Sequence, residues 1–231
     1  MFLKMFSFFL RTVPTFLNKF TYKCFYNLLF HLLKMRRQVV LKNLKRAFPH
    51  KNQDWYNKIS SQCYKFYTKD FLEFLSFPRY FNHDKIKFKN IEILDDALKN
   101  NKGVLFVSGH FGAFDKLFYS LASRGYALCG VAYKQKDGVA DKFFKKIREY
   151  YMKKQLYKGG SSKELKAALN NNEILILLSD QDAREKGKKV NFFDIPSSTP
   201  SGAAILHKRM GSPLIFFAIT KINDEYFVEF K

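Results

Sequence analysis

The rhythm of apolar and polar positions changes near residue 90. From Gln53 to Phe77 the apolar positions Trp55, Ile59, Cys63, Phe66/Tyr67, Phe71 and Leu75 recur at intervals of three and four. That spacing predicts one long amphipathic helix ended by Pro78, with these residues on its core face. Upstream, "RRQVVLKNLKRAFP" (Arg36 to Pro49) predicts a shorter basic helix stopped by Pro49. Beyond Asn90, short apolar runs alternate with helical stretches. "GVLFVS" (Gly103 to Ser108), "ALCGVAY" (Ala127 to Tyr133) and "EILILLS" (Glu173 to Ser179) are continuously apolar, as strands buried on both faces are. Between them Phe114 to Ser123, Val139 to Lys153 and Ser161 to Asn170 predict crossover helices. "PLIFFAITKINDEYFVEFK" predicts a strand, a turn at Asn223-Asp224 and a second strand. This alternation argues for an α/β fold with helices on the faces of the sheet.

The first 37 residues follow neither rhythm. They are very apolar, but Lys4, Arg11, Lys19, Lys23 and Lys34 interrupt them, and the longest uncharged stretch is Cys24 to Leu33. A simple membrane span needs about 20 predominantly apolar residues. The charges recur near helical spacing, which leaves a narrow polar stripe beside a broad face of Phe, Leu and Met. A helix of that kind suits the plane of a membrane interface; packing on the protein's own core is the other reading. Pro14 is expected to kink or divide it.

Composition adds a partner class. Lys and Arg number 41 against 20 Asp and Glu, a formal charge of +21, and 27 phenylalanines bring the aromatic share to 18%. Such a charge points to polyanionic partners: an anionic membrane surface, an acidic protein or nucleic acid. No zinc-finger, recognition-helix or RNP pattern supports the last. The three cysteines, Cys24, Cys63 and Cys129, have no metal-pair spacing and no even count, so they read as small core residues in a reducing compartment.

One stretch carries candidate chemistry. "VLFVSGHFGAFDKLF" sets His110 between Gly109 and Gly112 just past a predicted strand, where ligands bind in open α/β sheets, and Asp115 follows five positions later. A straight helix would hold residues five apart on different faces. A strand-to-helix turn lets Asp115 point back to His110, fixing its tautomer and leaving the other nitrogen as a base. The alternative is a histidine satisfied structurally. No Ser or Cys occupies the centre of a nucleophile elbow, so the base would activate an external nucleophile. Backbone N–H groups near Gly112, at the helix start, are candidates for binding an oxyanion. "LLSDQDAREKGKK" places Asp180, Gln181 and Asp182 at another strand end, either as metal-binding carboxylates or as loop caps, and no further ligand has matching spacing. Arg148, in a lysine-rich helix, reads as a solvated face or a phosphate clamp.

These blocks, taken in order over nearly the whole chain, resemble the lipid A biosynthesis acyltransferases, the lauroyl and myristoyl transferase family. "RRQVVLKNLKRAFP" is similar to the family's basic helix, "GVLFVSGHFGAFD" to its strand and H-x4-D/E, and "KGGSSKELKAAL" to the segment that follows. "LLSDQDA" and "FFDIPSSTPSGAA" resemble its later blocks. The resemblance implies a mixed, largely parallel sheet with flanking helices, preceded by N-terminal membrane-associated and amphipathic helices. Residues 1–37 would form the interfacial segment. Residues 38–231 would form one acyltransferase domain, with a helical lead-in over 38–99 and the catalytic α/β part over 100–231, lacking the family's usual C-terminal end. It implies transfer of a fatty acyl chain from an acyl carrier protein (or CoA) thioester to a hydroxyl of a phosphorylated glucosamine lipid. The reaction needs no cofactor or metal, and its place is the cytoplasmic face of the inner membrane. Carried over by residue, His110 is the general base and Asp115 its orienting carboxylate. Arg148, Asp180, Gln181, Asp182, Phe193 and Thr199 are expected to bind substrate. Lys134 stands where many relatives carry an arginine. Acylation of another lipid acceptor, and a non-catalytic basic membrane-binding protein, are the alternatives.

Overall fold

A computed structural model describes residues 2–82, 85–160, 162–223 and 225–231. The chain divides into two compact units, residues 1–80 and 81–231.

The first unit is helical. α1 (Phe2–Thr12) ends before Pro14, and after a short 3-10 turn at Thr15–Leu17 the chain resumes as α2 (Asn18–Asn27), which runs into a π-helical turn at Leu28–Leu32. Proline has no N–H to continue the ladder, so the division expected there is present. α3 (Arg37–Ala47) and α4 (Gln53–Leu75) follow, close to the predicted helices. The side chain of Asn52 caps α4 by accepting from the Trp55 N–H at 2.9 Å. One side of α1 is packed: Leu10 is buried, and the Ser7 hydroxyl donates to the carbonyl of Leu75 at 2.6 Å. The Arg79 guanidinium closes the end of α1 by donating to the carbonyls of Leu10 and Arg11. The other side leaves Phe2, Met5, Phe8 and Phe9 exposed, and Phe16 and Phe20 are exposed just beyond. Among the described residues no helix is long and apolar enough to cross a membrane.

The second unit is α/β. Its strands are β1 (Ile86–Lys89), β2 (Val104–Ser108), β3 (Leu128–Ala132), β4 (Lys154–Tyr157), β5 (Ile174–Leu178), β8 (Leu214–Ile222) and β9 (Glu225–Phe230). They form a seven-stranded sheet in the order β1-β9-β8-β2-β5-β3-β4, with β8 and β9 antiparallel and every other pair parallel. The helices α5 (Glu92–Leu98), α6 (Phe114–Ser123), α7 (Gly138–Arg148), α8 (Ser162–Asn170) and α9 (Gly202–Met210) complete it. The hairpin β6 (Lys188–Phe192) and β7 (Ile195–Thr199) stands apart, turned at Phe193 and Asp194, both with positive φ. The largely parallel sheet with flanking helices is as expected.

Strand alternation sorts the core. Leu105, Cys129, Leu156 and Leu175 share one face with Ala168 and Leu169 of α8 and Leu206 of α9. Phe106 stacks on Phe217 from the other face, where Phe118 of α6 meets Phe217 edge-on. Four details depart from the sequence reading. Tyr67 and Phe71, expected on the core face of α4, are exposed. The helix predicted over Val139 to Lys153 stops at Arg148, because Lys154–Tyr157 pairs with β3 as an edge strand. Cys24, expected as a core residue, is exposed, whereas Cys129 is buried. The elements β1, α5, β6, β7 and α9 were not anticipated. Asp224, half of the predicted turn, and Ser161, the predicted start of α8, lie outside the described residues.

Candidate active site

β2 runs apolar up to Ser108, whose hydroxyl donates to the carbonyl of Phe217 at 2.7 Å and anchors the strand end. Gly109 and His110 follow, and the chain turns sharply into α6. Gly112 makes the turn possible: its φ is +66°, and a Cβ there would lie 2.4 Å from the carbonyl oxygen of Ile219. Asp115 then sits in the first turn of α6, where the positive end of the helix dipole favours a carboxylate.

Strand register brings a second block to the same place. β2 and β5 pair in parallel with Ser108 opposite Leu178, so two residues on, His110 meets Asp180. The His110 Nδ1 lies 2.7 Å from the Asp180 Oδ1, with about two-fifths of each side chain exposed. Partial burial acts to raise the Asp180 pKa, but hydrogen bonds from the His110 side chain and backbone hold its carboxyl below the usual carboxylate range. The sequence reading gave the orienting role to Asp115; the carboxylate that holds Nδ1 is Asp180. The reason is geometric, since adjacent parallel strands deliver their next residues side by side.

Asp115 has a different setting. Its carboxyl accepts from the Tyr151 hydroxyl at 2.7 Å. Desolvation pushes its pKa up, against the opposing pull of Arg148, Tyr151, Lys116 and His110. Arg148, the last residue of α7, donates to the Gln155 side chain at 3.1 Å. Two carboxylates of opposite pKa tendency therefore share one imidazole's neighbourhood, an arrangement found where acid–base roles are divided.

A cavity of about 1190 Å³ opens at this point, beyond the carboxyl ends of β3 and β5. His110, Asp115, Arg148, Gln181 and Asp182 line it. Asp182 also caps its own loop by accepting from the Arg184 N–H at 2.8 Å, the loop-capping alternative seen in the sequence. Among the described residues, Phe193 and Thr199 are not part of the cavity wall. Phe193 stands at the hairpin turn against Phe192, and the wall is taken up by Pro200 and Ser201 just after Thr199. Among the described residues no cluster of three or more His, Cys, Asp or Glu side chains converges as a metal site. Tyr151 and Gln155 are the polar residues that sequence reasoning missed. Tyr151 was hidden by extending α7 too far; Gln155 lies just past that predicted helix, on an edge strand the sequence reading did not foresee.

A strand-end histidine held by a carboxylate beside a large cleft fits base-assisted transfer to an external nucleophile. The family model for the bacterial lipid A biosynthesis acyltransferases matches residues 2–230. The chain belongs to that family. Membership makes it one of a group of acyltransferases, and the match takes in the helical unit as well as the α/β unit. No curated protein matches the chain at a significant level.

Proposed function

We propose that this acyltransferase moves a fatty acyl chain from a carrier thioester, of acyl carrier protein or CoA, to a hydroxyl of a phosphorylated lipid A precursor. Asp180 accepts the Nδ1–H of His110 and fixes the tautomer that leaves Nε2 as the base. Nε2 takes the proton of the acceptor hydroxyl as its oxygen attacks the thioester carbonyl. Collapse of the tetrahedral intermediate expels the thiolate, which recovers that proton. Ala113 at the N-cap of α6 brings no side-chain acceptor, so the N–H groups of Phe114 and Asp115 in that first turn are offered to the oxyanion. Arg148, with Lys158, Arg184 and Lys186 of the cavity wall, attracts the phosphates of donor and acceptor.

The +21 charge steers an acidic carrier and an anionic lipid to the protein. The exposed Phe2, Phe8, Phe16 and Phe20, interspersed with Lys4, Arg11, Lys19 and Lys23, enter the headgroup region of the inner membrane's cytoplasmic leaflet.

The observation that carries this reading is the 2.7 Å His110–Asp180 contact at the mouth of the cavity. Its test supplies purified protein with labelled acyl carrier protein and CoA thioesters and a lipid A precursor. Label moving to the lipid is expected; label remaining on every donor would reject the proposal.

A further inference from the structure

Among the described residues the strands of the β6–β7 ribbon pair only with each other, from Lys188 opposite Thr199 to Phe192 opposite Ile195. The base of the ribbon is fastened. The Ala183 N–H donates to the Ser198 carbonyl at 3.0 Å, and the Ser198 hydroxyl donates to the Arg184 carbonyl. Beyond that base every residue from Lys188 to Ile195 is exposed. Strand alternation puts Val190, Phe192 and Ile195 on one face. At the turn Phe193 meets Phe192 edge-on, with 4.7 Å between ring centroids. Phe192 is 65% exposed and Phe193 49%. A two-stranded ribbon alone is marginal in water, and a cluster of large apolar side chains at its tip marks a surface that another phase or partner covers.

Polarity is graded along the ribbon. The tip is apolar, whereas Lys188 and Lys189 begin β6 and Arg184 and Lys186 precede it; the acidic residues over 184–199 are Glu185 and Asp194. At about 3.4 Å per residue the two lysines stand roughly 10–14 Å behind Phe192. That separation matches the step from lipid phosphates to the acyl boundary, where aromatic rings settle below lysines. The acidic surface of a carrier protein suits the lysines but not the phenylalanines, and pairing with a second copy would set lysine against lysine. Asp194, in the turn, limits the depth, because a carboxylate drawn into hydrocarbon loses its water without gaining a partner.

The ribbon also has a telling place. Both of its stems run into the wall of the cavity, through Lys186 on one side and Pro200 on the other.

We propose that the β6–β7 ribbon docks the α/β unit on an anionic bilayer, with Val190, Phe192, Phe193 and Ile195 in the acyl boundary and Lys188 and Lys189 on the phosphates. Docking brings the mouth of the cavity to the lipid surface, so that a lipid acceptor reaches it without leaving the bilayer entirely. Only this use of the contact rests on the acyl-transfer reading.

The experiment places a reporter at the tip of the full chain. Phe192→Trp, made in a Trp55→Phe background, leaves one tryptophan to observe. With vesicles of phosphatidylethanolamine and phosphatidylglycerol its emission should shift to the blue, and lipids brominated near the headgroup end of their chains should quench it. Adding Lys188→Gln and Lys189→Gln should weaken the vesicle concentration dependence of that shift by about fivefold per lysine. Asp194→Asn should move the quenching toward deeper bromines. Should Phe192→Trp fail to fold, a nitroxide attached at Ile195→Cys, with Cys24, Cys63 and Cys129 replaced by Ser, reports the same depth by its accessibility to oxygen.

A tip that keeps the signal of a water-exposed group in the presence of vesicles, whether or not the protein sediments with them, overturns the proposal. So does a tip that responds to an acidic carrier protein and not to vesicles. Label transfer to a lipid by a protein whose tip stays in water would remove this proposal and leave the acyl-transfer reading; an inserted tip without label transfer would do the reverse.

Discussion

The His110 Nδ1 and Asp180 Oδ1 lie 2.7 Å apart although 70 positions separate them in the chain. Register alone accounts for it. Ser108 and Leu178 are partners at the ends of β2 and β5, and each strand extends two more residues to its functional side chain. Replacing Asp180 by Asn keeps the shape but lets the amide present a donor to Nδ1, which favours the wrong tautomer. Acyl transfer by Asp180→Asn should fall by about 10²–10⁴-fold while the protein remains folded. An unchanged turnover number would show that the imidazole is oriented by another group.

The two carboxylates should respond oppositely to acid. The folded-state pKa of Asp180 is depressed, so its stabilisation is present above the ordinary carboxylate value of about 4 and is lost as pH falls through the folded value. The pKa of Asp115 is raised, so its ionisation destabilises the fold at neutral pH, and that penalty fades as pH falls toward the ordinary value. Urea denaturation at stepped pH should therefore find Asp115→Asn as stable as the parent or more stable at neutral pH. Asp180→Asn should lose less stability than the parent on acidification. Identical pH profiles for the two variants would contradict these assignments.

Tyr151→Phe removes the hydroxyl that donates to Asp115 and leaves an enclosed carboxylate short of one partner. The expected cost is about 1–3 kcal/mol of unfolding free energy at neutral pH. The loss should be smaller in an Asp115→Asn background, since the amide is less costly to leave under-bonded. A double-mutant cycle with no coupling would disprove the contact.

Gly112→Ala should be among the most damaging single-methyl additions in the α/β unit. The new Cβ would meet the Ile219 carbonyl at 2.4 Å, and the positive φ adds strain. Together these cost about 2–4 kcal/mol, readable as a drop in denaturation midpoint. Full stability would mean that the strand-to-helix turn is looser than described.

For the helical unit, vesicles containing anionic lipid should sediment the protein at low ionic strength and release part of it with added salt. Phe16→Ser and Phe20→Ser should weaken capture without altering helix content. Equal capture by neutral and anionic vesicles would remove the lysines from the account.

Much of the fold was legible because its periodicities are clean. The core strands β2, β3 and β5 are short continuous apolar runs, and α4 and α6 repeat at three and four. β4 was not legible. "KQLY" is a four-residue edge strand with an exposed Lys154, too short to imprint an apolar run, and it directly follows a predicted helix that ran on to Lys153. β6 was hidden for a similar reason, its residues being exposed throughout, so no buried face imprints a period of two. At the site, His110 and its strand-end position could be read directly, as could the clustering of Asp180, Gln181 and Asp182. Which carboxylate holds Nδ1 could not, because that depends on the order and register of strands far apart in sequence. The five-residue spacing to Asp115 was visible, and its bond to Tyr151 became available only once α7 ended at Arg148.

The most direct measurement of the central claim is the initial rate of labelled acyl transfer to a lipid A precursor by His110→Ala beside the unsubstituted protein. Removing the base should lower the rate by about 10²–10⁴-fold while non-cleavable thioether analogues of the donor bind as before. Equal rates in the two proteins would contradict the assignment of His110 as the group that takes the hydroxyl proton.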